Sequence, residues 1–152
     1  MSNRQKIQIK LNDSSAVLPT RSYDDAVGYD LYAIEDCVIK PLETQKIDTG
    51  ISLTPPEGWY AEIKERSGLG SKGLAVRGGQ IDPDFRGSIK VMLTYLKKPS
   101  LEGGEYLNSG FQVAKGDKIA QIVFKQYGKF DIEVVDELEE TERGASGFGS
   151  TG

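Results

Sequence analysis

An aspartate and an aromatic, Asp82 and Phe85, stand three residues apart in the run Gly78-Gly79-Gln80-Ile81-Asp82-Pro83-Asp84-Phe85-Arg86-Gly87. The 152-residue chain has no histidine and a single cysteine, Cys37. Those absences remove Ser-His-Asp and Cys-His catalysis, histidine-ligated zinc, thiolate zinc clusters and internal disulfides. Acid–base chemistry is left to Asp, Glu, Lys or Tyr. A metal would be a hard, oxygen-bound ion such as magnesium. Asp82 and Phe85 at the mouth of a turn make a carboxylate–aromatic pair that could do chemistry. Asp-Pro-Asp is also ordinary turn sequence, so a plain tight turn explains the run equally well.

Two glycine clusters beside arginine come next. Arg66-Ser67-Gly68 and Arg143 with Gly147-Phe148-Gly149-Ser150-Thr151 both have the makings of an anion cradle, with glycine-exposed N–H groups, hydroxyls and a guanidinium. The first could open a helix whose N-terminus favours phosphate. The second could equally be a disordered Gly/Ser end, although Phe148 is a residue that a solvated tail has no use for. Gly68–Gly73 and Gly147–Gly152 both match GxGxxG. Neither is a dinucleotide fingerprint: the first runs into a strand-like segment rather than a helix, and the second ends the chain. Net charge is −4, so no general attraction to nucleic acid or an acidic membrane is expected, and the positive charge that holds an anion must be local.

The elements that position these residues read as strands. From Lys6 to Leu11 the sequence K-I-Q-I-K-L alternates with a period of two. Further strands are expected at 27–34, 37–39, 45–48, 51–53, 59–63, 111–113, 119–124 and 132–135. Between 65 and 73 one turn of helix is natural. The apolar runs 74–76 and 88–96 bracket the Asp82 segment and predict a β-hairpin. From Lys97 to Gly110 a polar loop is expected, and 136–142 is acidic. Many short strands with almost no helix argue an all-β jelly roll or distorted β-barrel. The length fits one domain. A β body over 1–138 with a flexible C-terminal arm over 139–152 is the expected division. No run is apolar enough to span a membrane and no signal peptide is visible.

Five segments, in order, resemble the five motifs of the trimeric, all-β dUTP diphosphatases (dUTPases). They are Val27-Gly28-Tyr29-Asp30-Leu31-Tyr32-Ala33, then Arg66-Ser67-Gly68-Leu69, then Gly79-Gln80-Ile81-Asp82-Pro83-Asp84-Phe85-Arg86-Gly87, then Gly116-Asp117-Lys118-Ile119-Ala120-Gln121, then the run from Arg143 to Gly152. The resemblance implies a jelly-roll homotrimer with sites between subunits. It implies hydrolysis of dUTP to dUMP and pyrophosphate with magnesium, which keeps uracil out of DNA and supplies dUMP for dTMP synthesis. The cytoplasm is the expected compartment, or the host-cell cytoplasm if the source is viral.

The resemblance also implies roles. Asp82 would orient and deprotonate the water that attacks the α-phosphorus. Phe85 would pack on the deoxyribose. Gly79, Gln80 and Ile81, with a contact near Lys90, would read uracil. Arg66, Ser67, Gly68 and Gln121 would hold phosphates. Arg143 would meet the γ-phosphate and Phe148 would stack on uracil. Gly149, Ser150 and Thr151 would complete the arm's contacts. Asp30 would reach the metal through water or serve as a buried structural carboxylate.

There are departures from the family pattern. Glu65 replaces a usual proline, Phe85 a commoner tyrosine, Ser146 a usual glycine and Val76 a uracil-contacting asparagine; the loop from Lys97 to Gly110 is longer than usual. Two other functions stay open. One is a dCTP deaminase, or a bifunctional deaminase–diphosphatase, of the same fold; its fifth motif diverges from the one seen here. The other is a nucleotide-gated regulator that binds a protein partner through the loop from Lys97 to Gly110, which an idle surface insertion explains as well.

Overall fold

The computed structural model describes residues 4–102, 105–106 and 109–149. In chain order the elements are β1 (Gln8–Leu11), β2 (Tyr29–Tyr32), β3 (Cys37–Ile39), β4 (Thr44–Asp48), β5 (Ile51–Thr54), β6 (Trp59–Lys64), α1 (Ser67–Ser71), β7 (Leu74–Arg77), β8 (Gln80–Ile81), β9 (Lys90–Tyr95), β10 (Leu101–Glu102), β11 (Glu105–Tyr106), β12 (Phe111–Val113) and β13 (Lys118–Gln126). The fold is jelly-roll-like and almost entirely β, as expected, and among the described residues its sheets form no closed barrel. No helix among these residues is long and apolar enough to cross a membrane.

Two sheets carry most of the structure: β2-β13-β6-β8 and β4-β9-β7. Their inward faces build one core that includes Leu31, Ile47, Ile63, Leu74, Val91, Leu93 and Ile122. β13 sits between β2 and β6 and buries Ile119, Ala120, Ile122 and Val123. A bulge between Lys118 and Ala120 breaks its register, which is why its buried positions do not alternate strictly. α1 is one short turn of helix, with Gly68 and Gly70 inside it and no side-chain cap. Its length follows from the poor helix propensity of glycine, and Gly73, at φ +88°, turns the chain into β7.

The hairpin expected around Asp82 is present, with β7 antiparallel to β9. Its connection is more than a tight turn. β8 leaves the β7–β9 ladder and pairs with β6 in the other sheet, Gln80 opposite Glu62 and Ile81 opposite Ala61. The hairpin therefore straddles both sheets.

Two expectations about elements are corrected. The loop from Lys97 to Gly110 contains a small antiparallel ladder, β10 with β11, which two-residue strands between glycines hide from a periodicity reading. No strand forms at 132–135. The segment Phe130-Asp131-Ile132-Glu133-Val134 does alternate, but a strand needs a partner edge, and this one pairs with none among the described residues; Ile132 and Val134 are 95% and 94% exposed. The packed body ends at β13, and residues 125–146 are all exposed.

Ile122 is fully buried and faces both neighbouring strands of β13. Ile122→Ala is expected to lower stability by about 2–5 kcal/mol, read as a shifted urea midpoint with an unchanged slope.

Candidate active site

Because β8 crosses to β6 while β9 returns to β4, a cleft of about 520 Å³ opens between the two sheets. That volume suits a small-molecule ligand. Its walls include Ile63, Gln80, Ile81, Asp82, Phe85, Lys90 and Met92. Five residues singled out in the sequence are thus brought together: Gln80, Ile81, Asp82, Phe85 and Lys90.

Gly79 makes the cleft geometrically possible. A Cβ there would lie 2.3 Å from the Ile63 carbonyl oxygen, and that close approach carries a hydrogen bond from Ile63 N–H to the Gly79 carbonyl at 2.7 Å. Asp82 is exposed at the hairpin tip, with Gln80 Nε2 donating to its Oδ1 at 3.3 Å. The Phe85 ring rests on Gly87, where a Cβ would stand 2.6 Å from the ring. Arg86 bends back and donates to the carbonyls of Pro83 and Phe85, so it braces the turn.

Two groups here carry no signal in the sequence. Lys46 lines the cleft from β4. Asp48 accepts from Ser88 Oγ at 2.5 Å and from the Gly50 N–H at 2.8 Å, and it pairs with Lys90 Nζ at 3.3 Å. Burial pushes the Asp48 carboxyl up, but the Ser88 and Gly50 hydrogen bonds and Lys90 outweigh it and hold it below the usual value. Asp48 thereby fixes Lys90 at the cleft wall. No motif signals this contact, because it joins residues on different strands.

Arg66, Ser67, Gly68 and Gln121 do not line this cleft. Arg66 and Gln121 gather instead around Asp30, which is 6% exposed. Arg66 Nε meets Asp30 Oδ1 at 2.9 Å, Lys118 Nζ meets Oδ2 at 2.9 Å, and Ser22 Oγ donates to Oδ2 at 3.3 Å. Burial raises the Asp30 carboxyl, yet Lys118 and Arg66 together outweigh that and hold it below its ordinary value. Gln121 donates to the Glu65 carbonyl at 2.8 Å and lies against Gly28, where a Cβ would fall 2.0 Å from its Oε1. Gly28 is therefore a glycine for space. Among the described residues the Arg66 Nη groups make no further bond. Ser67 and Gly68 are exposed, and nothing stands within 4 Å of a Cβ built on Gly68. No group of three or more His, Cys, Asp or Glu residues among those described could hold a metal.

The described residues of the C-terminal segment, 143–149, make no hydrogen bond or ion pair to either cluster. Arg143 Nε donates to the Ser146 carbonyl at 2.9 Å, and Phe148, at φ +54°, is fully exposed. Gly149 is described; Ser150 and Thr151 lie outside the described residues.

A carboxylate whose folded pKa is depressed stabilises the fold above its unfolded value, about 3.9, and that contribution is lost as pH falls through the folded pKa. Asp30→Asn is expected to cost about 3 kcal/mol at pH 7, as a broken buried pair does. The gap between variant and wild type should then narrow below about pH 4, as checked by urea unfolding across that range.

The dUTPase family profile matches residues 14–152. A deoxyuridine 5'-triphosphate nucleotidohydrolase of Nautilia profundicola is 40% identical over 150 residues, covering 97% of this chain and 99% of that protein. One of Cowpox virus is 43% identical over 137 residues, covering 88% and 84%. Among solved structures, a Staphylococcus bacteriophage 80alpha dUTPase with dUpNHpp superposes with a TM-score of 0.87 at 27% identity, covering 97% and 98%. A dUTPase from phage phi11 of S. aureus, solved to show coordination of a structural Mg(II) ion, gives 0.79 at 26% identity, covering 89% and 99%. With five motifs in register on a matching fold, this chain belongs to the dUTPase family.

Proposed function

We propose that this chain hydrolyses dUTP to dUMP and pyrophosphate. The observation that carries the reading is the cleft itself. In a chain 40% identical to a nucleotidohydrolase over nearly its whole length, one hairpin tip sets the Asp82 carboxylate and the Phe85 ring at the mouth of a space sized for a nucleoside.

Water attacks the α-phosphorus, and its proton passes to Asp82 as the new O–P bond forms. The bond from the α-phosphorus to the bridging oxygen breaks, and pyrophosphate leaves. Gln80 steadies the Asp82 carboxylate. Phe85 lies flat against the deoxyribose and leaves no room for a 2′-hydroxyl. Gly79 and Ile81 offer backbone groups to the uracil edge, and Lys90, held by Asp48, closes the other wall. Arg66, Ser67, Gly68 and Gln121 bind the phosphates. Arg143, Phe148, Gly149, Ser150 and Thr151 close over the nucleotide as an arm spanning 139–152.

Magnesium is the expected cofactor, and the phi11 relative was solved with such an ion. This chain offers it no cage among the described residues. Asp30 already has both oxygens bonded to Arg66, Lys118 and Ser22, so it would reach the ion only through water. Such an ion would be held by the triphosphate and would neutralise its charge.

One chain does not bring the phosphate residues to the Asp82 cleft, and it leaves an alternating apolar segment at 130–134 without a strand partner. Both features support the homotrimer, with each site assembled from several copies. The loop from Lys97 to Gly110 is the segment through which a protein partner would act.

Product chromatography with magnesium and, separately, dUTP, dCTP, dTTP and UTP tests the reaction. Conversion of dUTP alone to dUMP and pyrophosphate is expected; conversion of dCTP to a uracil nucleotide would replace this reading with a deaminase. Asp82→Asn should lower kcat by two to four orders of magnitude, roughly the contribution of a general base, while dUTP still binds by calorimetry. Removing 143–152 should leave a folded oligomer with little turnover, since its described residues, 143–149, hydrogen-bond only to one another and to the neighbouring Thr141; unfolding by circular dichroism would make it structural.

A further inference from the structure

Glu65 immediately precedes Arg66 and stands where the family resemblance leads one to expect proline. Its side chain crosses to the hairpin, where Oε1 accepts the Val76 backbone N–H at 2.6 Å. Val76 lies in β7, the edge of its sheet, which pairs with β9 on one side only. The carboxylate therefore satisfies an edge donor that β9 does not reach, and a partly buried donor left unpaired is costly. The Glu65 carbonyl meanwhile accepts from Gln121 Nε2 at 2.8 Å, and the next residue, Arg66, is bonded to Asp30.

One residue thus joins three parts. Its side chain holds the strand that leads into the cleft, its carbonyl holds Gln121, and its peptide continues into Arg66-Ser67-Gly68. Proline at this position would stiffen the local backbone but could not reach β7. Here the backbone is fixed by a long-range hydrogen bond instead.

Resting on the phosphate role proposed for Arg66, Ser67, Gly68 and Gln121, we infer that Glu65 is a positioning residue for triphosphate binding. Its carboxylate sets the phosphate loop in register with the hairpin and touches no substrate. Glutamine keeps an oxygen at the same reach. Aspartate keeps the charge but falls one methylene short of Val76. Alanine removes both.

The test measures kcat and KM for dUTP, the dUMP dissociation constant and the melting temperature of wild type, Glu65→Ala, Glu65→Asp and Glu65→Gln. KM should rise roughly tenfold in the Ala and Asp variants, the scale of one lost hydrogen bond to a charged group. Their dUMP affinity should stay within about twofold of wild type, and Glu65→Gln should keep the wild-type KM. Wild-type KM in both Ala and Asp variants, even with a lowered melting temperature, overturns the inference, as do equal losses for dUMP and dUTP. A loss in Glu65→Gln without one in Glu65→Asp also overturns it, because charge rather than the bond would then matter. If wild type itself turns over no dUTP, the proposed function fails first.

Discussion

The Asp30 carboxylate is held from three directions, by Arg66, Lys118 and Ser22. A charge this far from solvent is tolerated only when its partners replace the water it gave up. Here they do so from three separate parts of the chain: the loop before β2, the residue that opens α1, and the first residue of β13. Asp30 also donates its backbone N–H to the Thr20 carbonyl at 2.7 Å. The Arg66-Ser67-Gly68 segment is thereby fixed to a buried sheet rather than left to its glycines. That matters because α1 has neither the length nor a cap to position itself.

The chain is acidic overall, at net −4, yet a triphosphate must find positive charge. Three of the chain's cations are held by ion pairs. Arg66 and Lys118 share Asp30, and Lys90 leans on Asp48. In each case a carboxylate set back from the surface fixes the cation's direction. A positioned cation acts more strongly on an anion than a freely rotating one, because less side-chain freedom is lost when it binds. Lys46 at the cleft wall adds charge without such a tether.

The hairpin's double allegiance sets the shape of the cleft. β7 and β9 belong to one sheet and β8 to the other, so their connection has to part the two sheets. The gap is held open by backbone, through the close approach of Gly79 to Ile63. Such a gap changes little with side-chain motion, which suits the recognition of a rigid base. It is also open to solvent, and Phe85 at its mouth is 47% exposed. Hydrolysis by one chosen water needs that mouth covered.

Much of this was legible in the residues. The absence of histidine leaves acid–base chemistry to Asp, Glu, Lys or Tyr, and the family resemblance points to Asp82 among them. Alternation found β1, and the paired apolar runs found the β7–β9 hairpin, because core-facing side chains impose a period of two. The sequence alone therefore determined the fold class and the hairpin, and it singled out five of the residues that line the cleft. Tertiary structure decided what lies beside what. It paired β8 with β6, set Asp48 behind Lys90 and Glu65 against Val76, and kept Arg66 out of the Asp82 cleft. It also left 132–135 unpaired, although its pattern is that of a strand. Local pattern reports which face of a segment prefers burial; which edge or charge meets that face depends on contacts between residues far apart in the chain, and these exist only once it has folded.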